Sequence, residues 1–183
     1  MNIEELSSRV QQAGQEFGFG AEQARVILAE ALADDGNWLD PRYLHCDPTL
    51  NFIVHPVYRD QRVSLAITAF RPGAPSPAHN HNTWGVVGVY QGREREIRYC
   101  RTDTGLEVDR VLVNPRGSIS MVPDDAIHSV EALDDCEAVS IHIYGADIVT
   151  VERSMFDLVT GAESPFRPDV VPAVAEDRAI VDL

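Results

Sequence analysis

The sequence predicts a mainly β fold, a closed barrel or sandwich with helices laid against its outside. Two textures predict it. Residues 1–36 carry apolar side chains at spacings of three and four, the mark of an amphipathic helix. From Asn51 to about residue 160, short β-rich runs alternate with turns rich in Gly, Pro, Asp and Asn. A third observation is length: 183 residues suit one domain, long enough to bury a sizeable core.

In chain order, Leu6, Val10, Ala13 and Phe17 form a first helical stripe, which Gly18 and Gly20 interrupt. Ala24, Ile27, Leu28, Ala31 and Leu32 form a second, ended by Asp34–Asp35–Gly36 with Gly36 as cap. Strands are expected over Val63–Phe70, Trp84–Tyr90, Glu94–Tyr99, Leu106–Val113, Ser118–Val122, Ile127–Ala132 and Glu137–Tyr144. Each is bounded by turn residues, such as Pro72–Gly73, Gln91–Gly92 and Asp134–Asp135. Residues 161–183, with Pro165, Pro168 and Pro172, read as an extended tail draped on the barrel rather than a second domain.

Composition excludes several classes. A formal charge of −14 repels phosphate backbones, so neither nucleic acid nor an anionic membrane is an expected partner. The start Met1–Asn2–Ile3–Glu4–Glu5 is acidic and lacks a signal peptide's basic and apolar regions, which makes the cytoplasm the default location. Cys46, Cys100 and Cys136 are odd in number and far apart, which does not suggest a disulfide framework.

The chemistry lies in the histidines. In Pro77–Ala78–His79–Asn80–His81, residues two apart on a strand face the same way, so His79 and His81 offer two imidazoles side by side. Such a pair also occurs as two surface histidines. A turn, Pro123–Asp124–Asp125, then delivers His128 from another part of the barrel. Three imidazoles suit Fe, Zn, Cu or Ni and leave coordination positions open, as catalytic sites require. His45 and His55 lie outside these motifs and read as structural or surface residues.

The stretch from Pro72–Gly73 through His79, His81, Gly85 and Gly92 resembles the first motif of the cupins, and Gly117, Pro123 and His128 resemble the second. The resemblance covers roughly Val63 to Arg153 and implies a double-stranded β-helix, or jelly-roll barrel. Many cupins add a ligating Glu shortly after the HxH pair. Here Asn82, Thr83, Trp84 and Gly85 fill that region, and Glu94 comes only past the next turn. The pattern is similar to that of the three-histidine subset, whose best-known members are the thiol dioxygenases.

Ser140–Ile141–His142–Ile143–Tyr144 alternates strictly, so Ser140, His142 and Tyr144 share one face and Val139, Ile141 and Ile143 the other. Taken alone, the polar row could be the solvent face of an edge strand. Thiol dioxygenases resembling cysteine dioxygenase carry a Ser-x-His-x-Tyr row at this point of the chain. There the serine orients the histidine, the histidine hydrogen-bonds the tyrosine, and the tyrosine faces the substrate. Where some animal-type members have a cysteine that cross-links to the tyrosine, this chain has Gly85, so no cross-link is expected. The resemblance is nearer to the bacterial mercaptopropionate dioxygenases.

What the resemblance implies is an Fe(II) enzyme that adds O2 to a small thiol and yields a sulfinic acid. Other divalent metals, such as Ni or Zn, could occupy a purified sample. A thiol carboxylate needs a cationic anchor, for which Arg153 is the first candidate and Arg59 the second. Trp84 is a candidate pocket wall or ordinary core. Three competing classes remain: a metal-binding cupin that senses a ligand without turnover, a different cupin enzyme using Ni, Mn or Zn, and a metal-free interaction barrel. The sequence fixes neither the thiol nor the oligomeric state.

Overall fold

Helix α1 (Ile3–Gly14) begins at Asn2, whose side chain accepts the Glu5 amide at 2.8 Å. It buries Ile3, Leu6 and Val10. Helix α2 (Ala21–Leu32) follows the glycine-rich turn and buries Ala24, Leu28 and Ala31. The structure, a computed structural model, describes residues 1–33 and 37–167; the expected cap at Gly36 and the tail beyond residue 167 lie outside the described residues.

Eleven strands follow among the described residues. The first sheet has the order β1-β2-β9-β4-β7, with β1 Phe52–Arg59, β2 Ser64–Phe70, β4 Gly85–Gln91, β7 Ile119–Val122 and β9 Ala138–Tyr144. The second has the order β11-β10-β3-β8-β5-β6, with β3 Ala78–His79, β5 Arg93–Thr102, β6 Gly105–Pro115, β8 Ile127–Ala132, β10 Ser154–Phe156 and β11 Glu163–Pro165. The pairing is antiparallel throughout both sheets. The chain crosses repeatedly between the sheets, which gives the double-stranded β-helix that the motifs imply.

The first sheet is covered on both faces, and β2 and β9 are buried along their whole length. Outward, Leu65, Ile67, Val86, Val139, Ile141 and Ile143 pack against Leu6, Val10 and Leu28 of the helices. Burying each such side chain stabilises the fold by about 1.5–3 kcal/mol. Helix α2 approaches closely because position 88 is glycine: a Cβ there would stand 2.6 Å from the Leu32 side chain and 2.9 Å from that of Leu28. Inward, Phe70, Val130, Ala132 and Ala138 fill one part of the barrel with apolar side chains. The remaining interior is polar and contains the candidate site. Among the described residues, no helix is long and apolar enough to cross a membrane.

Candidate metal centre

His79 and His128 are register partners in the β3–β8 pairing. His81 follows two residues on, in the connection to β4. All three are buried, at 8%, 3% and 3% exposure, and their candidate ligand atoms lie within 4.8 Å of one another. The His81 Nε2 stands 3.1 Å from the His79 Nε2 and 3.4 Å from the His128 Nε2.

Hydrogen bonding on the far side of two rings fixes which nitrogen faces inward. The His79 Nδ1 donates to the Pro77 carbonyl at 2.9 Å, and the His128 Nδ1 donates to the Glu96 Oε1 at 3.0 Å. Both Nε2 atoms are therefore bare lone pairs. His81 has one hydrogen to set against two such acceptors, and its own Nδ1 is buried without a partner. A cation accepting all three lone pairs resolves this crowding, so the donor set fits a divalent metal. Burial, then the neighbouring His128, holds His79 and His81 well below the ordinary histidine range, which keeps both neutral and able to ligate.

Glu96 sits behind His128. Burial pushes its carboxyl up, but hydrogen bonds and charge from His128 and Arg98 outweigh this and hold it at about 2. Arg98 donates to it at 2.8 Å, as does the Ser120 hydroxyl. A carboxylate behind a ligating histidine orients the ring and raises its basicity. On β5 the sequence Arg93–Glu94–Arg95–Glu96 puts both acids into the barrel, buried at 1% and 2% exposure, and both arginines outward. Sequence reasoning missed Glu96; the available signal was its alternation with arginine on a strand expected to have one inward face.

The polar row of β9 faces inward beside the histidines. The Ser140 Oγ lies 2.7 Å from the His142 Nε2, and the His142 Nδ1 lies 2.8 Å from the Tyr144 hydroxyl. The Tyr144 ring stands edge-on to His81, with centroids 4.9 Å apart. Burial lowers His142 to about 3, so it is neutral, and raises the Tyr144 phenol. Gly85, the register partner of Tyr144, leaves room for that ring.

Arg153 is carried to the same place by the residues that interleave the ligands. Asn80 exchanges backbone and side-chain hydrogen bonds with Ser154, at 3.2 and 2.8 Å, and Asn82 donates to the Glu152 carbonyl at 2.8 Å. Arg153 thus lies in a segment pinned on both sides to the His79–Asn82 stretch. Its guanidinium stacks on the Phe166 ring at 4.2 Å and pairs with no carboxylate among the described residues. Burial lowers its pKa. Phe166, just past β11, also lies 5.2 Å from the His79 ring. Residues 163–165 form β11 at the edge of the second sheet, and the Phe166 ring lies against that of His79.

Two other sequence candidates are not brought here. Arg59 forms a two-pronged pair with Asp147, at 2.8 and 2.9 Å, on the surface. Trp84 points outward, packs on Gly145 and meets Phe19 edge-on, in the core beneath the helices. It is core and not a wall of the site, because Gly85 takes the inward position and strand alternation sends its neighbour out. His45 bonds Glu137 at the surface and His55 meets Tyr43, both apart from the three ligands.

The fold and these side chains define a double-stranded β-helix with a three-histidine candidate metal centre. No protein-family model matches the chain. Among solved structures it is similar to an uncharacterized conserved protein with a double-stranded beta-helix domain from Klebsiella pneumoniae, at 13% identity over 63% of this chain and 92% of that one, with a TM-score of 0.49. It is also similar to oxalate oxidase, at 17% identity over 62% and 63% of the two chains and a TM-score of 0.45. Oxalate decarboxylase from Bacillus subtilis, a protein with Mn(II) centers, matches at 19% identity over 57% and 27%, with a TM-score of 0.46. The match spans just under two thirds of the oxalate oxidase chain, at 63%. Likenesses this distant carry nothing about substrate.

Proposed function

We propose that this protein is a non-haem Fe(II) dioxygenase that converts a small thiol carboxylate, of the 3-mercaptopropionate or cysteine type, to its sulfinic acid. The overall change is RSH + O2 → RSO2H. Both oxygen atoms end on sulfur, the thiol proton is retained as the acid proton, and no external reductant is needed. The observation that carries the reading is the convergence of three buried imidazoles, the Ser140–His142–Tyr144 row and the Arg153 guanidinium, which pairs with no carboxylate among the described residues.

His79, His81 and His128 would hold the iron, which when bound supplies a site where the thiol ionises and meets O2. Three neutral ligands leave the ion's full positive charge for an anionic thiolate. Arg153 binds the carboxylate; an unpaired, partly desolvated guanidinium is a strong two-pronged partner for such a group. Tyr144, held by His142 and Ser140, presents its hydroxyl to the substrate side of His81. Phe166 and the Arg153 stem exclude water from the reacting atoms.

The test is oxygen uptake by anaerobically purified, Fe(II)-loaded protein offered cysteine, 3-mercaptopropionate, cysteamine and mercaptosuccinate, with products weighed by mass spectrometry. Thiol-dependent uptake and a product heavier by two oxygen atoms are expected. Stoichiometric iron with no uptake on any of them overturns the reading. Tyr144→Phe then separates turnover from mere binding: it should lose turnover, whereas a ligand sensor would keep its affinity.

A further inference from the structure

Strand β5 carries four arginines, and one of them turns into the barrel. Arg93 and Arg95 point outward to Asp134 and Glu131, and Arg101 pairs with Glu163 at the surface. Arg98 points inward, with its side chain only 16% exposed. It is the register partner of His128, which is in turn the register partner of His79. One row therefore runs Arg98, His128, His79 across β5, β8 and β3. Burying a guanidinium is costly unless its partners repay the desolvation.

Those partners lie in both sheets. The Arg98 Nε donates to the Glu96 Oε1 at 2.8 Å, and its Nη2 stands 3.4 Å from the Oε2. The same Nη2 donates to the Ser120 hydroxyl at 3.1 Å and to the Met121 carbonyl at 2.8 Å, both on β7 of the first sheet. Ser120 gives its own hydrogen to the Glu96 Oε2 at 2.8 Å. The Glu96 carboxylate, 2% exposed, thus has His128 on one side and a cation and a hydroxyl on the other. Outward from the three histidines the order is neutral imidazole, carboxylate, guanidinium. Each charge offsets the one before it.

We propose that Arg98 is a positioning residue that, with Ser120, sets how much of the Glu96 charge reaches His128 and so tunes the affinity and the redox potential of the metal centre. A carboxylate behind a ligating imidazole makes that ring a stronger donor. A cation bonded to the far side of the same carboxylate draws its charge away and weakens the effect. Removing Arg98 leaves Glu96 its His128 and Ser120 donors but frees its charge toward the ring. The more highly charged state of an ion is then favoured. Removing the Glu96 charge does the reverse, because the cation remains. The proposal needs a divalent ion on the three histidines and not the thiol chemistry.

A plain brace between the two sheets predicts another pattern: loss of either residue loosens the site, so both variants shift metal affinity the same way. The experiment compares Arg98→Gln, Arg98→Lys and Glu96→Gln with the parent. It measures Zn(II) affinity by chelator competition, and the Fe(III)/Fe(II) midpoint potential by titration followed through the ferric EPR signal. Arg98→Gln should bind Zn(II) up to roughly tenfold more tightly and lower the potential. Glu96→Gln should bind it more weakly and raise the potential. Arg98→Lys, which keeps the charge, should stay near the parent. Weaker or equal Zn(II) binding in Arg98→Gln overturns the proposal, and so does a lysine variant that behaves as the glutamine one. Ser120→Ala keeps the test open if Arg98→Gln does not fold, since it removes only a small neutral donor. It should tighten Zn(II) binding by roughly twofold, and weaker or equal binding overturns the proposal. A parent that binds no divalent metal overturns it as well. A parent that binds metal but oxidises no thiol ends the dioxygenase reading, while the opposite shifts of the two variants still decide the role of Arg98.

Discussion

Gly85 and Tyr144 face each other across the β4–β9 pairing so closely that a methyl group on Gly85 would stand 3.3 Å from the Tyr144 ring and 3.5 Å from the His81 Nδ1. The ring has little freedom to yield, being held by the His142 bond on one side and by His81 on the other. Gly85→Ala should therefore displace the phenol rather than unfold the barrel. We expect a stability loss of about 1 kcal/mol and a roughly tenfold fall in turnover from the misplaced hydroxyl. Bound metal should be unchanged. Thermal melts, metal analysis and oxygen uptake on one preparation check all three.

Glu96 acts on metal binding through His128. Glu96→Gln keeps the shape but weakens the charge-assisted bond that orients the ring. Metal affinity should drop by roughly 10- to 100-fold. Competition with a chelator of known affinity measures it, and equal affinity of variant and parent would contradict the role.

The two arginines separate cleanly. Arg153→Ala should raise KM for thiol carboxylates by roughly 10- to 100-fold, the worth of one or two charged hydrogen bonds. It should leave cysteamine, which has no carboxylate, little affected. Arg59→Ala, which loses only the exposed pair with Asp147, should leave KM unchanged for every thiol. Asn82 gives a related check. Its φ of +50° is unusual for a residue other than glycine, and its side chain holds Glu152. Asn82→Ala should raise KM for the carboxylates as Arg153 loses its fixed position.

Acid stability should depend on Asp60. It gathers the Tyr58 hydroxyl at 2.7 Å, the Arg62 and Val63 amides at 2.7 and 2.9 Å, and the Gln15 amide at 3.0 Å, tying the β1–β2 turn to the end of α1. Burial raises its pKa, but these hydrogen bonds outweigh burial and set it below the ordinary 3.8. A lowered folded-state pKa means that the carboxylate stabilises the fold fully above its unfolded pKa. That stabilisation is lost as pH falls through the folded value. The difference in melting temperature between the parent and Asp60→Asn should be constant near neutrality and shrink below about pH 4. A difference that grows on acidification would contradict this.

Much of this was readable before any coordinates, and the unread parts have physical reasons. The seven expected strands and both helices are present, as are the three-histidine cluster and the inward Ser140–His142–Tyr144 row. Strand β1 escaped because Pro56 sits in its middle; an edge strand tolerates the missing N–H, and the register shifts beside it. Strand β3 is two residues long, too short for any periodicity, although it carries His79. For Trp84 the sequence leaves pocket wall and ordinary core both open, and the parity fixed by Gly85 decides for core. Glu94 and Glu96 are hidden from a sequence reading because charge reads as exposure, and for Glu96 the partners His128, Arg98 and Ser120 reverse that rule.

The pocket is assembled from pieces far apart in chain order. His79, His81 and His128 can meet once β8 has been made, and the polar row arrives with β9. Arg153 and Phe166 are added only when β10 and β11 have joined the edge of the second sheet beside His79. During synthesis the three imidazoles can thus gather before their cover exists.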